Sequence, residues 1–256
     1  MGVIEQWVKK ALLEVQDYVR LCGAAAYASV TRPFYYRDVV EQFDAIGVGS
    51  LTVVILTGLF TGAVLALQSG VTLDQFGARS EVGRLIGASM LKELGPVLTA
   101  LMVAGRVGSG IAAELGSMVV SEQISALRAL GTDPMRKLVV PRILAGLIMV
   151  PILTTISNAV GMTGAWVIAV GQLQVAPSVY WASVWNGLVI EDVWMALIKP
   201  FFFGLAVVTI GCHVGLRTTG GTQGVGRATT NAVVASSVAV LAVDFFITKL
   251  LIVFMY

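Results

Sequence analysis

Apolar residues form five long stretches along the chain, and each is long enough to cross a membrane as a helix. A helix needs about 20 mostly apolar residues to span a hydrocarbon core about 30 Å thick. One stretch also contains Lys92, Glu93, Arg106 and Glu114, and at about 50 Å it must tilt or project beyond the bilayer. The pattern predicts an all-α integral membrane protein whose five transmembrane helices cover residues 45–69, 85–118, 139–171, 197–216 and 232–256.

The composition agrees with a membrane protein. Of the 256 residues, 57% are hydrophobic and 12% are charged, whereas soluble domains contain about 25% charged residues. So little polar surface argues against a soluble enzyme or a disordered tail, and a net charge of +2 gives no reason to expect a nucleic acid. Cys22 and Cys212 lie far apart in apolar contexts and His213 is the single histidine, so neither a disulfide framework nor a metal site is predicted.

Basic residues are divided unevenly between the two ends of the predicted spans. Cytoplasmic loops carry an excess of lysine and arginine, so the richer end is expected to be cytoplasmic. That end has Lys9, Lys10, Arg20, Arg32, Arg37, Arg128, Arg136, Lys137, Arg142, Arg217 and Arg227, and the other has Arg79, Arg84, Lys92, Lys199 and Lys249. We therefore expect a cytoplasmic N-terminus and a C-terminus on the outer side.

Residues 1–42 are predicted to form an amphipathic helix and a connector in front of the five-span domain, residues 43–256. Charges are mixed through the first thirty residues, so these are not a signal peptide. Apolar residues recur at helical spacing, which favours a helix lying flat in the membrane interface; a helix packed against a cytoplasmic partner is the alternative. The apolar face consists of Val3, Ile4, Trp7, Val8, Ala11, Leu12, Val15, Val19 and Cys22.

A second short helix is predicted from Ser178 to Ile190, at the outer surface. The segment is too short to span the membrane, and Tyr180, Trp181 and Trp185 are typical of an interfacial aromatic belt.

Small residues recur at helical spacing in several spans and allow helix backbones to approach closely in lipid. Packing within one subunit and packing between two subunits both remain open. The relevant positions are Gly58 with Gly62, Gly83 with Gly87, Gly211 with Gly215, and the stripe Gly105, Ser109, Ala113 and Ser117.

No catalytic group is predicted. Residues 221–228 mimic a phosphate-binding loop by spacing, but Arg227 and Ala228 replace its lysine and hydroxyl residue, and no strand precedes it. Residues 108–113 fit a loose dinucleotide fingerprint inside a predicted span. The chain is therefore expected to be no enzyme and to bind no cofactor itself.

Charged residues inside a span are costly and mark either a functional pathway or an ion pair. Lys92 and Glu93 near the outer end, beside Pro96, suit the binding of a polar lipid headgroup; a snorkelling lysine next to a satisfied carboxylate is the alternative. Arg106 and Glu114 are about 80° apart around the helix, so we expect structural partners on other helices, with Asp244 a candidate for Arg106.

A short cytoplasmic helix, Glu122–Leu130, is predicted between the second and third spans. Ser121 suits its N-cap, Gly131 its C′ position, and Asp133 with Pro134 starts the next helix. An exposed apolar ridge of Ile124, Leu127 and Leu130 would fit a groove on a partner, although an ordinary capped loop is the alternative.

Two groups of motifs closely resemble the MlaE (YrbE) permease family. The first comprises Glu93-Leu94-Gly95-Pro96-Val97, Ala104-Gly105-Arg106, Ala113-Glu114, Glu122-Gln123 and Thr132-Asp133-Pro134. The second comprises Gly226-Arg227-Ala228-Thr229-Thr230, Ser236-Ser237 and Asp244-Phe245. The resemblance implies a homodimeric permease of an ABC lipid transporter, with phospholipid held between the subunits. A plastid membrane is the alternative to a bacterial inner membrane, which we expect because no transit peptide is apparent.

The resemblance also implies partners: two copies of an ABC ATPase, which uses ATP and magnesium, an MCE-domain periplasmic protein and a small STAS-like cytoplasmic subunit. The implied lipid site contains Lys92 and Glu93, with Leu67, Gln68 and Val97. The implied ATPase contacts are Glu122, Gln123, Ile124, Leu127, Arg128, Leu130 and Asp133.

The function expected from the resemblance is movement of phospholipid between the inner membrane and an MCE conduit, which contributes to outer-membrane lipid asymmetry. Arg106, Glu114 and Asp244 are expected to be structural charges. An ion-coupled transporter of a small solute and a non-transporting scaffold for MCE proteins are the alternatives.

Overall fold

A computed structural model describes residues 3–31 and 35–255, and the side chains of all of these except residues 3–8, 10, 11 and 255. The described residues form helices joined by short turns and contain no strand. The helices are α1 (Val3–Val30), α2 (Tyr36–Phe43), α3 (Gly49–Asp74), α4 (Val82–Ser89), α5 (Gly95–Val103), α6 (Ser109–Val120), α7 (Gln123–Ala129), α8 (Val140–Gly171), α9 (Pro177–Gly187), α10 (Ile190–Leu216) and α11 (Gly221–Met255).

Short π-helical turns join several helices end to end, at Asp44–Val48, Met90–Leu94, Ala104–Gly108 and Met135–Val139. Five of the resulting helices in the described chain are long and apolar enough to cross a membrane, which confirms the predicted number. Each begins earlier than its apolar stretch, because the polar first turns of a helix add nothing to a hydropathy signal. Spans 1 to 5 are Tyr36–Asp74, Arg79–Val120, Met135–Gly171, Ile190–Leu216 and Gly221–Phe254.

The two ends of the bundle carry different connections. At one end α7 links spans 2 and 3, and residues 217–220 link spans 4 and 5; we refer to this as the α7 end. At the other end residues 75–78 link spans 1 and 2, and α9 lies between spans 3 and 4; we refer to this as the α9 end.

Small residues bring the spans together within the subunit. A Cβ atom at Gly62 would run into the backbone of Gly161, so α3 and α8 touch backbone to backbone. Gly83 lies against α9 and Gly211 against α6. The three predicted glycine pairs therefore pack inside one subunit, whereas a Cβ at Gly105 would meet no atom within 4 Å.

The helix α9 packs against α4 and is thereby part of the fold rather than a loose surface segment. Tyr180 is 0% exposed, and its hydroxyl donates a hydrogen bond to the Met162 carbonyl at 2.9 Å. The prediction that Tyr180 belongs to an interfacial belt is wrong, because its ring fills the space between α9 and span 3. Trp185 is 70% exposed.

The helix α1 lies against spans 3 and 4 at the α7 end of the bundle. Ala25 and Ala28 are buried against the bundle, and Tyr18 bonds to Thr209 across 2.7 Å. A separate face exposes apolar side chains, namely Leu12, Val15 and Val19. Of the predicted apolar face, Val3, Ile4, Trp7, Val8 and Ala11 lie outside the described side chains, as do Lys10 and Arg32 of the predicted cytoplasmic charges.

Candidate functional site

Five charged side chains form a network in the half of the bundle nearer the α9 end. Lys199 on α10 is 0% exposed, and its Nζ lies 2.8 Å from Glu93 Oε2 and 3.1 Å from Asp244 Oδ1. Next to it, Lys92 Nζ lies 2.9 Å from Asp192 Oδ1. Spans 2, 4 and 5 each contribute to the network.

The local helix geometry explains how the pairs are sorted. Asp192 and Lys199 are seven residues apart, or two turns of α10, so they share one face of that helix. Lys92 and Glu93 are adjacent in the π-helical turn Met90–Leu94, and adjacent positions point in different directions. Lys92 therefore pairs with Asp192, and Glu93 pairs with Lys199.

Lys199 has a third acceptor on the backbone. Its Nζ donates a hydrogen bond to the Lys92 carbonyl oxygen at 2.7 Å. In an α-helix this carbonyl would accept the N–H of residue 96, but residue 96 is a proline and has none. The ammonium group has three N–H donors, and Glu93, Asp244 and the Lys92 carbonyl supply one acceptor for each.

The network has an enclosed part and an open edge. Asp192 is 1% exposed and Lys199 is fully buried, whereas the side chains of Lys92 and Glu93 are 35% and 44% exposed. The open edge therefore presents one positive and one negative group side by side, at a depth where the surrounding helices are apolar. Such an edge suits a ligand that carries both charges and long apolar parts.

Two members of this network were missed by sequence reasoning. The predicted fourth span begins only at residue 197, which places Lys199 at its end and leaves Asp192 outside it, whereas α10 begins at Ile190. The signal that could have found Lys199 is its position inside a span, directly before Pro200, where a lone charge is costly.

The predicted pairing of Asp244 with Arg106 is wrong. Asp244 binds Lys199 instead. Arg106 lies in the π-helical turn Ala104–Gly108, and its Nη1 donates to the Ala45 carbonyl at 3.0 Å and to Ser50 Oγ at 2.9 Å. Arg106 thus joins span 2 to span 1, on a different side of span 2 from the network.

Glu114 has a partner on another helix, as expected. Its Oε1 lies 2.7 Å from Arg142 Nη2 in span 3, and Arg142 is 3% exposed. Arg142, one of the basic residues at the predicted cytoplasmic end, lies two turns inside span 3 and is buried in the bundle.

The other residues predicted to contact lipid lie on two different helices. Leu67 and Gln68 are on α3 and expose their side chains. Val97 is on α5, directly after the network, and is half-buried against the core.

The predicted cytoplasmic helix is present as α7, but it starts differently. Ser121 does not cap it: Ser121 Oγ donates to the Ser117 carbonyl at 2.8 Å and so belongs to the end of α6. Glu122 occupies the cap position with φ +59°, in the left-handed region. Few non-glycine residues adopt this conformation, so the turn between α6 and α7 is strained.

The end of α7 agrees with the prediction. Gly131 has φ +76°, and the N–H groups of Gly131 and Thr132 donate to the carbonyls of Arg128 and Leu127, which is a Schellman motif. Asp133 Oδ1 then accepts the Met135 N–H at 2.9 Å and caps the start of span 3.

The apolar ridge of α7 is not exposed as predicted. Ile124 is 6% exposed and Leu127 packs against the core, so both hold α7 onto the bundle, whereas Leu130 is 81% exposed. The face that α7 offers to the outside consists of Gln123, Ser125, Ala126, Arg128 and Ala129.

Comparison with known proteins places these features in a family. Residues 39–250 match the family of the permease MlaE. A probable ABC transporter permease protein of Rickettsia bellii is 43% identical over 88% of each chain. The intermembrane phospholipid transport system permease protein MlaE of Haemophilus influenzae is 36% identical over 93% of this chain and 94% of that protein.

A chloroplast protein is similar too. TRIGALACTOSYLDIACYLGLYCEROL 1 of Arabidopsis thaliana is 36% identical over 90% of this chain and 65% of its own length. Five spans, the motifs around the network and a match over most of the chain lead to one conclusion: this multi-pass membrane protein belongs to the MlaE family of ABC transporter permeases.

Proposed function

We propose that this protein is the membrane subunit of an ABC transporter that moves phospholipid between the inner membrane and a periplasmic MCE-domain conduit, and so contributes to outer-membrane lipid asymmetry. The working unit is a homodimer with two ATPase subunits and a small STAS-like subunit. The α7 end is cytoplasmic, α1 lies in the membrane interface on that side, and the C-terminus is periplasmic.

The open edge formed by Lys92 and Glu93 carries this proposal. A phospholipid phosphate is attracted to the Lys92 ammonium, and a headgroup ammonium is attracted to the Glu93 carboxylate. Exposed apolar side chains of span 1, such as Phe60, Val64 and Leu67, offer non-directional burial to acyl chains. The enclosed residues Lys199 and Asp192 hold the two charges in place.

The exposed face of α7 supports the proposal that ATPase subunits dock at this end of the bundle. The helix α7 is short, has a defined turn at each end, and is fixed to the bundle by Ile124 and Leu127. A force applied to Gln123 or Arg128 by a docked ATPase is therefore passed directly to spans 2 and 3. ATP and magnesium bind to the ATPase subunit, and Asp133 contributes by capping span 3.

A lipid-transfer assay with the reconstituted complex tests the proposal. Charge reversal at Glu93 is a poor choice, because an arginine there would face the buried Lys199. Lys92→Gln and Glu93→Gln remove one charge with little change in shape, and Glu81→Gln, an exposed position at the same end, is the matched control. We expect both edge variants to slow ATP-driven transfer of a fluorescent phospholipid while the ATPase still copurifies; full transfer by both would refute the site.

A second candidate function is ion-coupled transport of a small solute. Lys199 lies between two carboxylates inside the membrane, an arrangement that also suits proton relays. This candidate requires transport driven by an ion gradient without any ATPase. Proteoliposomes that contain the permease alone, with an imposed pH gradient, distinguish the two functions.

A further inference from the structure

Two cavities follow one another along the seam between α1 and α10, at the α7 end of the bundle. The first has a volume of about 410 Å³ and lies between α1, α8 and α10. The second has a volume of about 840 Å³ and lies at the end of α10 and the start of α11. Tyr18 lies between them. The centroids of its ring and the His213 ring are 5.5 Å apart in an edge-to-face arrangement, and its hydroxyl forms a hydrogen bond with the Thr209 hydroxyl.

The first cavity is apolar, and we call it the apolar cleft. The hydroxyls at its border are bonded within the protein: Tyr18 to Thr209 at 2.7 Å, and Ser29 to the Ala26 carbonyl at 2.7 Å. A water molecule needs two to four polar partners, so the cleft favours hydrocarbon. Its walls include Ala26, Val140, Ile143, Leu144, Leu147 and Leu205.

The second cavity is polar and carries charges of both signs; we call it the polar basin. Arg217 is held by Asp17 at 3.0 Å. Arg227 lies against the turn at Gly220, and among the described residues no carboxylate forms an ion pair with it. Glu14 on α1 also lines the basin and brings a negative charge to it.

The apolar cleft and the polar basin follow each other along α10 in the same order as the acyl chains and headgroups of a lipid leaflet. One face of α10 leads from the middle of span 4 to its end, and its residues are spaced four apart. They are Leu205, Thr209, His213 and Arg217. Apolar walls therefore lie deeper in the membrane, and the charged basin lies at its surface.

We propose that this seam binds one phospholipid with an ethanolamine-type zwitterionic headgroup, from the leaflet at the α7 end. An acyl chain fills the apolar cleft, the phosphate binds Arg227, and the headgroup ammonium binds Glu14. The occupied cleft fastens α1 to spans 3 and 4. This site is separate from the Lys92 and Glu93 edge, and it does not depend on lipid transport or on the orientation proposed above.

Photolabelling of the full-length protein in nanodiscs tests the site. The probe is a phosphatidylethanolamine with a diazirine in its acyl chain, and labelled peptides are mapped by mass spectrometry. Arg227→Gln removes the phosphate partner, and Ala26→Trp fills the cleft. Arg37→Gln, an exposed arginine at the same end, and Ala24→Trp, an exposed neighbour on α1, are the matched controls.

We expect label on residues 140–147 that both site variants reduce and both controls retain. Loss of a hydrogen bond to a charged group corresponds to about tenfold weaker binding, so competition by unlabelled phosphatidylethanolamine should require about ten times more lipid in Arg227→Gln. Label that is unchanged in both site variants identifies ordinary annular lipid and overturns the proposal. Equal competition by phosphatidylglycerol overturns the assignment to a zwitterionic headgroup.

Discussion

Lys199 Nζ lies 2.7 Å from the carbonyl oxygen of Lys92, a bond made available by the missing N–H of Pro96. The backbone of span 2 thus gives the buried ammonium an acceptor that no side-chain motion can remove. Glu93 and Asp244 complete its coordination from spans 2 and 5. One lysine therefore ties three spans together, directly behind the edge proposed to bind lipid.

Replacing Lys199 is expected to destabilise the folded protein strongly. Lys199→Met leaves two carboxylates facing each other without a cation, and breaking a buried pair in this way costs about 3–5 kcal/mol. For a protein of this size we expect the melting temperature in detergent to fall by about 10 °C. Lys249→Met, an exposed lysine of span 5, is the control and should melt with the wild type.

The triple variant Lys199→Met, Glu93→Gln, Asp244→Asn separates loss of charge pairing from loss of shape. With no charge left unpaired, it should recover most of the lost stability. A melting temperature unchanged by Lys199→Met alone would show that the network contributes nothing to folding.

The Glu114–Arg142 pair predicts an asymmetry. Arg142 is 3% exposed and Glu114 is 53% exposed, so removing the glutamate leaves an unpaired charge buried in the bundle, whereas removing the arginine leaves a carboxylate that is half exposed. Glu114→Ala should therefore lower the melting temperature more than Arg142→Leu, since an unpaired buried charge is the costlier defect. Thermal unfolding of the two variants side by side measures this, and the opposite order would contradict the assigned burial.

The number of spans and the C-terminal end of α7 could be predicted because they depend on local signals. Twenty apolar residues suffice to indicate a span, and Gly131 and Asp133 act on backbone groups close in sequence. The start of α7 was placed wrongly because a serine before a helix also suits the end of the preceding one.

The ion pairs between spans could not be predicted, because they depend on which faces of the helices pack against each other. Nothing near Asp244 in sequence distinguishes Lys199 from Arg106 as its partner. The burial of Arg142 could not be predicted for the same reason, because it depends on the helices that pack around the start of span 3.

Two glycines with opposite surroundings test the packing of the spans. A methyl group at Gly62 collides with the Gly161 backbone, whereas at Gly105 it meets nothing within 4 Å. Gly62→Ala should destabilise the subunit by about 1–3 kcal/mol through overpacking, and Gly105→Ala should leave its melting temperature unchanged. Size-exclusion chromatography of Gly105→Ala adds a second result: loss of the dimer would place the stripe that starts at Gly105 in the subunit interface.

The two faces of α7 predict different defects. Leu127 is partly buried against the core, so Leu127→Asp should destabilise the permease itself by about 2 kcal/mol, because it places a charge against apolar side chains, and should lower its melting temperature. Arg128 is exposed, so Arg128→Glu should leave the melting temperature unchanged and weaken copurification of the ATPase. Pull-down yields and thermal unfolding of both variants give the comparison, with Arg37→Glu as an exposed control. If Arg128→Glu binds the ATPase as well as the wild type does, the exposed face of α7 is not part of the docking surface. Loss of the ATPase from Leu127→Asp would not change this conclusion, because unfolding of that variant explains the loss.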